Sequence, residues 1–437
     1  MSAARRAAVE ALIHQEKAGY SNLVLDGRLR RSGLTGRDKA FCTAIFYTVL
    51  EHQITLDWQL RQCLNRPVTR LDPPVRAVLR AGLAQIVYMQ VPPAAAVNES
   101  VTLVRKLGCS SAAGLVNAVL RRAPAQDPAA AKFPNRAARL SVQYSVAEPI
   151  VRLYLAAYPT RAEQLLLSMS TPSKETALRV NTLRTSPEQL AQRLADEGTP
   201  SRPGPLPGSL LAAFEGSPIQ SAAFAEGLFH VQGLSSQLAA LSLDAQPDQK
   251  VLDLCAAPGG KTLLLAQQMQ DTGRLYSRDA AEGRVSLIRQ ALERSGIQCA
   301  DVACADASVW QPELARADRV LCDVPCSGLG ILRKKPDLRY KPLGELPSLC
   351  VLQAKILATA SRYVKEGGRL VYSTCTLNPQ ENEYQIEQFL AGEEGAKFRL
   401  VPPPFHPEQA SEGPFGMTIF PDETGFDGFF IATLERL

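Results

Sequence analysis

Long apolar runs are missing from this 437-residue chain, and none reaches the roughly 18 residues that a membrane-spanning helix needs. Its first ten residues carry Arg5 and Arg6 with no apolar segment behind them, so we expect no signal peptide. Hydrophobic residues make up 46% and charged residues 21%, which is typical of a globular enzyme. We therefore expect a cytoplasmic protein of two or three domains.

Cysteine and histidine patterns of metal sites are also missing. The ten cysteines run from Cys42 to Cys375 without a C-x-x-C pair, and the four histidines are scattered. This spacing argues against a zinc ribbon or finger, so we expect no metal and free thiols in a reducing cytosol.

Charge of one sign is not in large excess, but it is unevenly distributed. The whole chain has a net charge of +5, whereas residues 1–135 hold 18 lysines and arginines against nine acidic residues. A basic front end suggests binding to a phosphate backbone. Charge alone leaves a solvated helical surface as the alternative.

The first 122 residues read as helices. Phe41, Ile45 and Val49 recur at helical spacing, and similar patterns follow in residues 75–87 and 97–120. Proline and alanine from 123 to 134 break the pattern. We predict an all-α domain with its linker over residues 1–135.

Residues 136–240 mix both kinds of element. We predict helices at Val151–Tyr158 and Pro187–Glu197, a strand at Ala177–Val180, and a loop at Pro200–Gly208. These elements suggest a small α+β domain.

Strands and helices alternate from residue 241 to 437, which predicts a doubly wound α/β (Rossmann-like) domain. The predicted strands are Val251–Cys255, Arg274–Ser277, Asp301–Cys304, Arg319–Cys322 and Arg369–Ser373. The predicted helices are Lys261–Met269, Ala281–Arg294, Ser348–Val364 and Asn382–Leu390. We expect the tail Gly428–Leu434 to add an edge strand.

A small-residue turn follows the first of these strands. Its residues are Cys255, Ala256, Ala257, Pro258, Gly259, Gly260 and Lys261. Glycine and alanine allow a ligand to approach the backbone at a helix N-terminus. The turn matches neither G-x-G-x-x-G nor a P-loop, which disfavours dinucleotides and nucleoside triphosphates.

Aspartates stand at successive strand ends. Asp279 lies 26 residues after Asp253, where an acidic side chain can accept both ribose hydroxyls, and Asp306 follows the third strand within reach of an adenine edge. Helix capping is the alternative for either aspartate alone.

Two cysteines and an aspartate follow the next strands. Asp323 and Cys326 lie in DVPCSGLG, and Cys375 lies in STCT. A thiolate that adds to C6 of cytosine makes C5 nucleophilic enough to attack a sulfonium methyl group. Asp323 fits the stabilisation of charge at N3. Strand position alone leaves both cysteines open as the nucleophile.

These stretches are similar to motifs of the RNA 5-methylcytosine methyltransferases, the Nop2/Sun-type family. The motifs are DLCAAPGGKT (253–262), DVPCSGLG (323–330) and STCTLNPQENE (373–383). The resemblance implies that Cys375 is the nucleophile, that Cys326 assists product release and that Asp323 contacts base and cofactor. It also implies that residues 255–261, Asp279, Asp306 and Asp323 bind S-adenosyl-L-methionine.

The N-terminal part resembles the helical NusB-like RNA-binding domain. The matching stretches are AGYSNLVLD (18–26), LDW (56–58), VPPAAAVNESV (91–101) and GLVNAVLRR (114–122). Together the two resemblances imply methylation of cytosine C5 in 16S ribosomal RNA. We expect the RNA to be bound before the subunit is fully assembled, by a monomer without membrane or metal.

Three positions depart from the family pattern. Gly233 in VQGLSSQ stands where aspartate is usual, Arg278 where a small apolar residue is common, and Tyr340 where tryptophan is frequent. Tyr340 follows the basic run 333–336, which we interpret as facing RNA or as a solvated loop.

Other functions remain as alternatives. The substrate could be transfer RNA, 23S ribosomal RNA or DNA, and residues 1–122 could form a non-catalytic RNA-binding factor. A nicotinamide-dependent oxidoreductase is the most distant alternative, because its glycine fingerprint is absent.

Overall fold

The computed structural model describes residues 2–17, 21–408, 410–421 and 425–437. Contacts divide the chain into two units. Unit 1 comprises residues 1–170 and 334–342, and unit 2 comprises residues 171–333 and 343–437. In the described ranges, no helix is both long and apolar enough to cross a membrane.

Unit 1 is helical, as predicted for residues 1–122, and it also contains three helices from residues 136–170, which the sequence analysis assigned to the α+β domain. Its helices are α1 (Ala3–Gln15), α2 (Ser21–Ser32), α3 (Gly36–Arg61), α4 (Pro73–Val87), α5 (Pro93–Lys106), α6 (Ala113–Arg122), α7 (Arg136–Tyr144), α8 (Glu148–Ala157) and α9 (Ala162–Ser170). The apolar positions that repeat at helical spacing, such as Ile45, Val49 and Val97, are buried in one core. Residues 18–20 of the stretch AGYSNLVLD lie outside the described residues.

Helix α3 is kinked at His52, whose φ of −122° is not helical. The kink frees backbone groups, and the hydroxyl of Tyr340 takes up two of them. It accepts a hydrogen bond from the Gln53 amide at 3.1 Å and donates one to the Leu50 carbonyl. Burial raises the pKa of Tyr340 to about 12. The hydroxyl of Tyr340 thus completes the backbone bonding of α3, and the interpretation of the basic run 333–336 stays a prediction.

The smaller sheet of unit 2 is antiparallel, with strand order β2-β3-β1-β4. Its strands are β1 (Thr176–Val180), β2 (Ser201–Pro203), β3 (Ser209–Ala212) and β4 (Phe229–Val231). Helices α10 (Pro187–Asp196) and α11 (Ala222–Ala225) accompany it. Ser186 and Gln189 form a reciprocal capping box at the start of α10. This part of the chain has the predicted α+β character.

The larger sheet of unit 2 has a parallel part in the order β9-β8-β5-β6-β7. These strands are β5 (Lys250–Asp253), β6 (Arg274–Asp279), β7 (Ala300–Cys304), β8 (Ala317–Asp323) and β9 (Val364–Thr374). The helices of this region are α12 (Leu234–Leu241), α13 (Gly260–Gln268), α14 (Glu282–Ser295), α15 (Leu346–Tyr363) and α16 (Glu383–Leu390). The doubly wound α/β prediction is confirmed.

Antiparallel strands extend the sheet beyond β9. They are β10 (Phe398–Leu400), β11 (Ala410–Gly413), β12 (Gly416–Ile419) and β13 (Phe429–Arg436). The predicted edge strand at the C-terminus was wrong in position, because β13 lies between β9 and β12. Its residues Phe429–Leu434 are buried, as a central strand requires.

The strand order reverses between β5 and β8. Strands β6 and β7 extend the sheet on one side of β5, and β8 and β9 extend it on the other. Ligands of open parallel sheets bind beyond the carboxyl ends of the strands at such a switch point. The fold therefore directs attention to the residues after Asp253 and Asp323.

Candidate active site

A pocket of about 210 Å³ lies at this switch point. It is lined by Val231, Gln232, Gly233, Ser236, Cys255, Ala256, Ala257, Pro258, Gly260, Lys261 and Asp323. Most of the predicted cofactor residues thus surround one cavity. Gly259, Asp279 and Asp306 are not in its lining.

Gly259 shapes the turn without lining the pocket. Its φ of +107° lies in the left-handed region, and a Cβ there would stand 3.3 Å from Cα of Ile288. Glycine adopts this conformation without strain. The amide of Gly259 donates to the Ala256 carbonyl at 2.8 Å, which closes the turn before α13.

Lys261 and Asp323 form an ion pair in the pocket wall. Nζ of Lys261 lies 2.6 Å from Oδ2 of Asp323, and the hydroxyl of Ser373 donates to Oδ1 at 2.8 Å. Burial by itself lowers the pKa of Lys261, but the nearby Asp323 carboxylate outweighs it, and the pKa lies above its usual value. Lys261 is therefore a cation at neutral pH.

Asp253 lies beneath the turn and is fully buried. Its Oδ2 accepts a hydrogen bond from the Thr262 hydroxyl at 2.7 Å, and Oδ1 has no protein partner among the described residues. Burial raises its pKa to about 7. Sequence reasoning gave Asp253 no role, because a strand-end aspartate does not reveal its burial.

Asp279 supports the pocket from behind. It is the last residue of β6, is buried, and accepts a hydrogen bond from the amide of the pocket residue Ala257 at 3.2 Å. Arg284, which sequence reasoning missed, pairs with Asp279 at 3.3 Å and donates to the Ala257 carbonyl at 3.0 Å.

Asp306 has a different environment. It is exposed, and its Oδ1 accepts hydrogen bonds from the amide and hydroxyl of Ser308, both at 2.8 Å. The bond from the Ser308 amide lowers its pKa. These bonds form a local Asx turn and not the helix cap that was the alternative, because residues 307–310 are not helical.

Cys326 and Cys375 come together, with their sulfur atoms 3.3 Å apart. Cys375 directly follows β9, and Cys326 lies three residues after the end of β8, so parallel pairing brings the two loops side by side. The hydrogen bond to Cys375 and then burial raise the pKa of the Cys326 thiol well above its usual value.

Gly330 keeps the two cysteine loops in contact. Its amide donates to the Cys375 carbonyl at 2.9 Å, and its carbonyl accepts from the Gly428 amide at 2.9 Å. A Cβ at Gly330 would collide with the carbonyl oxygen of Gly428. This position requires glycine because two backbones approach it.

The other departures have separate explanations. Gly233 is one of the residues that line the pocket. The guanidinium of Arg278 donates to the carbonyl of Asp301 on the neighbouring strand β7 and pairs with its carboxylate at 3.1 Å. Arg278 thus links β6 to the edge strand β7. Gln232 and Ser236 were not predicted individually, since only their motif was noted.

No group of three or more histidine, cysteine, aspartate or glutamate side chains is placed to hold a metal ion within the residues that the structure describes.

Comparisons with known proteins agree along the chain. Family models match residues 2–124 as "NusB family", 150–211 as "Methyltr_RsmF/B-like, ferredoxin-like domain" and 240–435 as "16S rRNA methyltransferase RsmB/F". The Synechocystis protein named "Probable ribosomal RNA small subunit methyltransferase B" is 35% identical over 95% of each chain. The Xanthomonas campestris "Ribosomal RNA small subunit methyltransferase B" is 34% identical over 92% of this chain and 89% of its own.

Solved structures extend the likeness to the fold. The crystal structure of PH0851 superposes with a TM-score of 0.84 at 26% identity, covering 100% of this chain and 99% of that one. A methyltransferase homolog from Pyrococcus horikoshii gives a TM-score of 0.58 at 26% identity over 70% of this chain and all of that one. Full-length similarity above 30% and the matched models lead to one conclusion: the chain belongs to the 16S rRNA methyltransferase RsmB/F family, with a NusB domain at its N-terminus.

Proposed function

We propose that this protein methylates carbon 5 of a cytosine in 16S ribosomal RNA, through a covalent bond between Cys375 and C6 of the base. The observation that carries the proposal is the pair of thiols 3.3 Å apart on neighbouring strand ends. Asp323, which bonds to Ser373 two residues before Cys375, is the third member of the set. A methyltransferase acting on a nitrogen or hydroxyl has no need for such a thiol pair, because those atoms attack a methyl donor directly.

S-adenosyl-L-methionine is the proposed methyl donor, and it would supply an electrophilic methyl group. The pocket residues suit it, because the small side chains of residues 255–260 admit a ligand against the backbone. Asp279 would act through the Ala257 backbone that it holds. The exposed position of Asp306 supports at most a peripheral contact.

The chain's own residues would perform the following steps. The Cys375 sulfur forms a bond to C6, and the electrons of the C5–C6 double bond move toward C5 and N3. The proton of the Cys375 thiol would pass to N3 through Asp323, which stands in the pocket wall, so that N3 gains no negative charge and the carboxylate returns to its ion pair with Lys261. After methyl transfer, C5 gives its proton to water, and the electrons of that C–H bond re-form the C5–C6 double bond as the S–C6 bond breaks. The departing Cys375 thiolate takes back the proton from N3 through Asp323.

The assignment of Cys375 as nucleophile is based on the family resemblance and is supported by the thiol pair. A raised pKa keeps Cys326 protonated when Cys375 loses its proton, so the Cys326 S–H can donate to the Cys375 sulfur. Cys326 would then assist the release of the product.

Unit 1 is proposed to bind RNA. Residues 1–135 carry the basic excess, and the relatives that match the whole chain are named for ribosomal RNA. We further propose domains at 1–135, 136–240 and 241–437, and a monomer in the cytoplasm that acts before the subunit is fully assembled.

The test is chemical identification of the product. Purified protein, labelled S-adenosyl-L-methionine and 16S, 23S or transfer RNA are incubated, and nucleosides are separated by mass spectrometry. We expect 5-methylcytidine in 16S RNA and none with Cys375→Ala. Label in another nucleoside would refute the C5 chemistry, and label in another RNA would refute the substrate.

A further inference from the structure

Glu381 holds a buried carboxylate close to the two cysteines. Its side chain has no exposed surface. Oε1 accepts hydrogen bonds from the Ser327 amide at 2.7 Å and from Nε2 of Gln353 at 3.1 Å. Oε2 accepts from the Ser327 hydroxyl at 2.5 Å and from Nδ2 of Asn378 at 3.0 Å. All four partners are donors, which is the set that an ionised carboxylate accepts.

These bonds connect the loop of Cys326 to the loop of Cys375. Ser327 follows Cys326, and Thr376 follows Cys375; their hydroxyl oxygens lie 2.8 Å apart. Because the Ser327 proton is directed to Glu381, the Thr376 hydroxyl must donate to Ser327. The backbone N–H of Asn378 completes this series of hydrogen bonds by donating to the Thr376 hydroxyl at 3.2 Å.

Burial of the Glu381 carboxylate needs a reason other than packing. Burying an ion is unfavourable unless hydrogen bonds replace its hydration, and an apolar side chain fills a core at lower cost. The four donors satisfy that condition. The charge also contributes to the raised pKa of Cys326, after the Cys375 bond, burial and the charge of Cys375. The position thus has features that packing alone does not require.

We propose that Glu381 is a positioning residue that fixes the separation of the Cys326 and Cys375 thiols by tying together the loops that carry them. Its relevance to catalysis rests on the proposed function, whereas the geometric claim does not. Gln353 anchors the same carboxylate to α15, so the two loops are fixed to the body of unit 2.

The separation can be measured without any methylation. Two thiols that are held close together react with oxidised glutathione to give one protein disulfide and two molecules of reduced glutathione. The protein is equilibrated in glutathione buffers of stepped ratio and quenched with acid. The peptides that carry Cys326 and Cys375 are then quantified, linked or separate, by mass spectrometry. This readout excludes the other eight cysteines.

The informative change is Glu381→Gln, which keeps the shape of the side chain. It replaces one carboxylate oxygen, a hydrogen-bond acceptor, with an NH₂ group that would face the donors around Glu381. We expect the equilibrium constant for the Cys326–Cys375 disulfide to fall about tenfold, the effect of roughly one lost hydrogen bond. Glu383→Gln is the matched control. Glu383 lies two residues away and accepts a hydrogen bond from Thr418. Because Glu383→Gln removes the same charge as Glu381→Gln, the disulfide equilibrium constant of this control variant should equal that of the wild type.

An unchanged or higher constant in folded Glu381→Gln would overturn the proposal. If that variant does not fold, Ser327→Ala removes only the hydroxyl link, and a constant equal to the wild type would overturn the proposal as well. Failure of the C5 chemistry would show instead as a missing 5-methylcytidine with the disulfide equilibrium intact, so the two proposals fail separately.

Discussion

The Lys261 ammonium lies 2.6 Å from Oδ2 of Asp323, and both side chains line the pocket at the switch point of the sheet. Their side chains are 13% and 24% exposed, so water screens the pair only in part. Removing either charge would therefore leave the other partly buried without its ion-pair partner, which is unfavourable.

Lys261→Met should lower the free energy of unfolding by about 2 kcal/mol, because it leaves the Asp323 charge without its partner. Asp323→Asn should abolish methylation. The double variant should be more stable than the sum of the single changes allows, as urea denaturation of all four proteins would show. Simple additivity would mean that the pair is not coupled.

The two cysteines should behave differently when RNA and cofactor are supplied together. Cys375→Ala should lose methylation and form no covalent complex with RNA. Cys326→Ala should still form the bond and then stall, which leaves an adduct that survives denaturing electrophoresis. An adduct in Cys375→Ala alone would reverse the roles that we propose.

Asp279 and Asp306 should contribute unequally to cofactor binding. Asp279→Asn should weaken binding of S-adenosyl-L-methionine about tenfold or more, because a charge-assisted bond to the Ala257 amide is lost. Asp306→Asn should have a smaller effect, since that side chain is exposed and bonds to Ser308. Calorimetric titration measures both, and equal losses would contradict the distinction.

Asp253 should give stability a characteristic pH dependence. Its pKa is raised from 3.8 to about 7 by burial, so the folded state holds a proton that the unfolded state releases above pH 4. The stabilising contribution is complete below pH 4 and is lost as pH rises through 7. Relative to Asp253→Asn, the wild type should therefore lose more than about 1 kcal/mol between pH 4 and 7. The free energy of unfolding of both proteins is measured by urea denaturation at each pH. If the two curves of free energy against pH run parallel, Asp253 does not titrate in this range.

Unit 1 should account for much of the salt dependence of RNA binding. Arg121 and Arg122 are exposed at the end of α6. Replacing both with serine should lower the slope of log affinity against log salt by up to about two. Arg202, whose guanidinium is paired with Glu175 in unit 2, is the matched control. An unchanged slope would place the phosphate contacts elsewhere.

Much of this fold could be predicted because local patterns are strong. The period of 3.6 in residues 75–87 and the short apolar strands after residue 250 indicate their own structures. The cysteines could be placed together because parallel strands end at one edge of a sheet. The residues of the small turn could be assigned to the pocket for the same reason.

The remaining features depend on long-range contacts. Whether β13 is an edge or a central strand depends on the hairpin of β11 and β12, which the sequence analysis missed. Asp279 and Asp306 look alike in sequence but differ in burial and in hydrogen-bond partners. Glu381 gave no signal, because its partners Ser327 and Gln353 lie 54 and 28 residues away.

Residues 334–342 give unit 1 a discontinuous chain. The chain leaves unit 2 a few residues after Cys326, supplies Tyr340 to α3, and then returns to unit 2. The guanidinium of Arg339 in the same segment bonds to the carbonyls of Met169 and Tyr144. An expressed fragment that ends at residue 170 would therefore be an incomplete fold, with unpaired backbone groups at the kink of α3. Gene truncation is not a neutral way to separate RNA binding from catalysis in this protein, and point substitutions on its surface are the better tool.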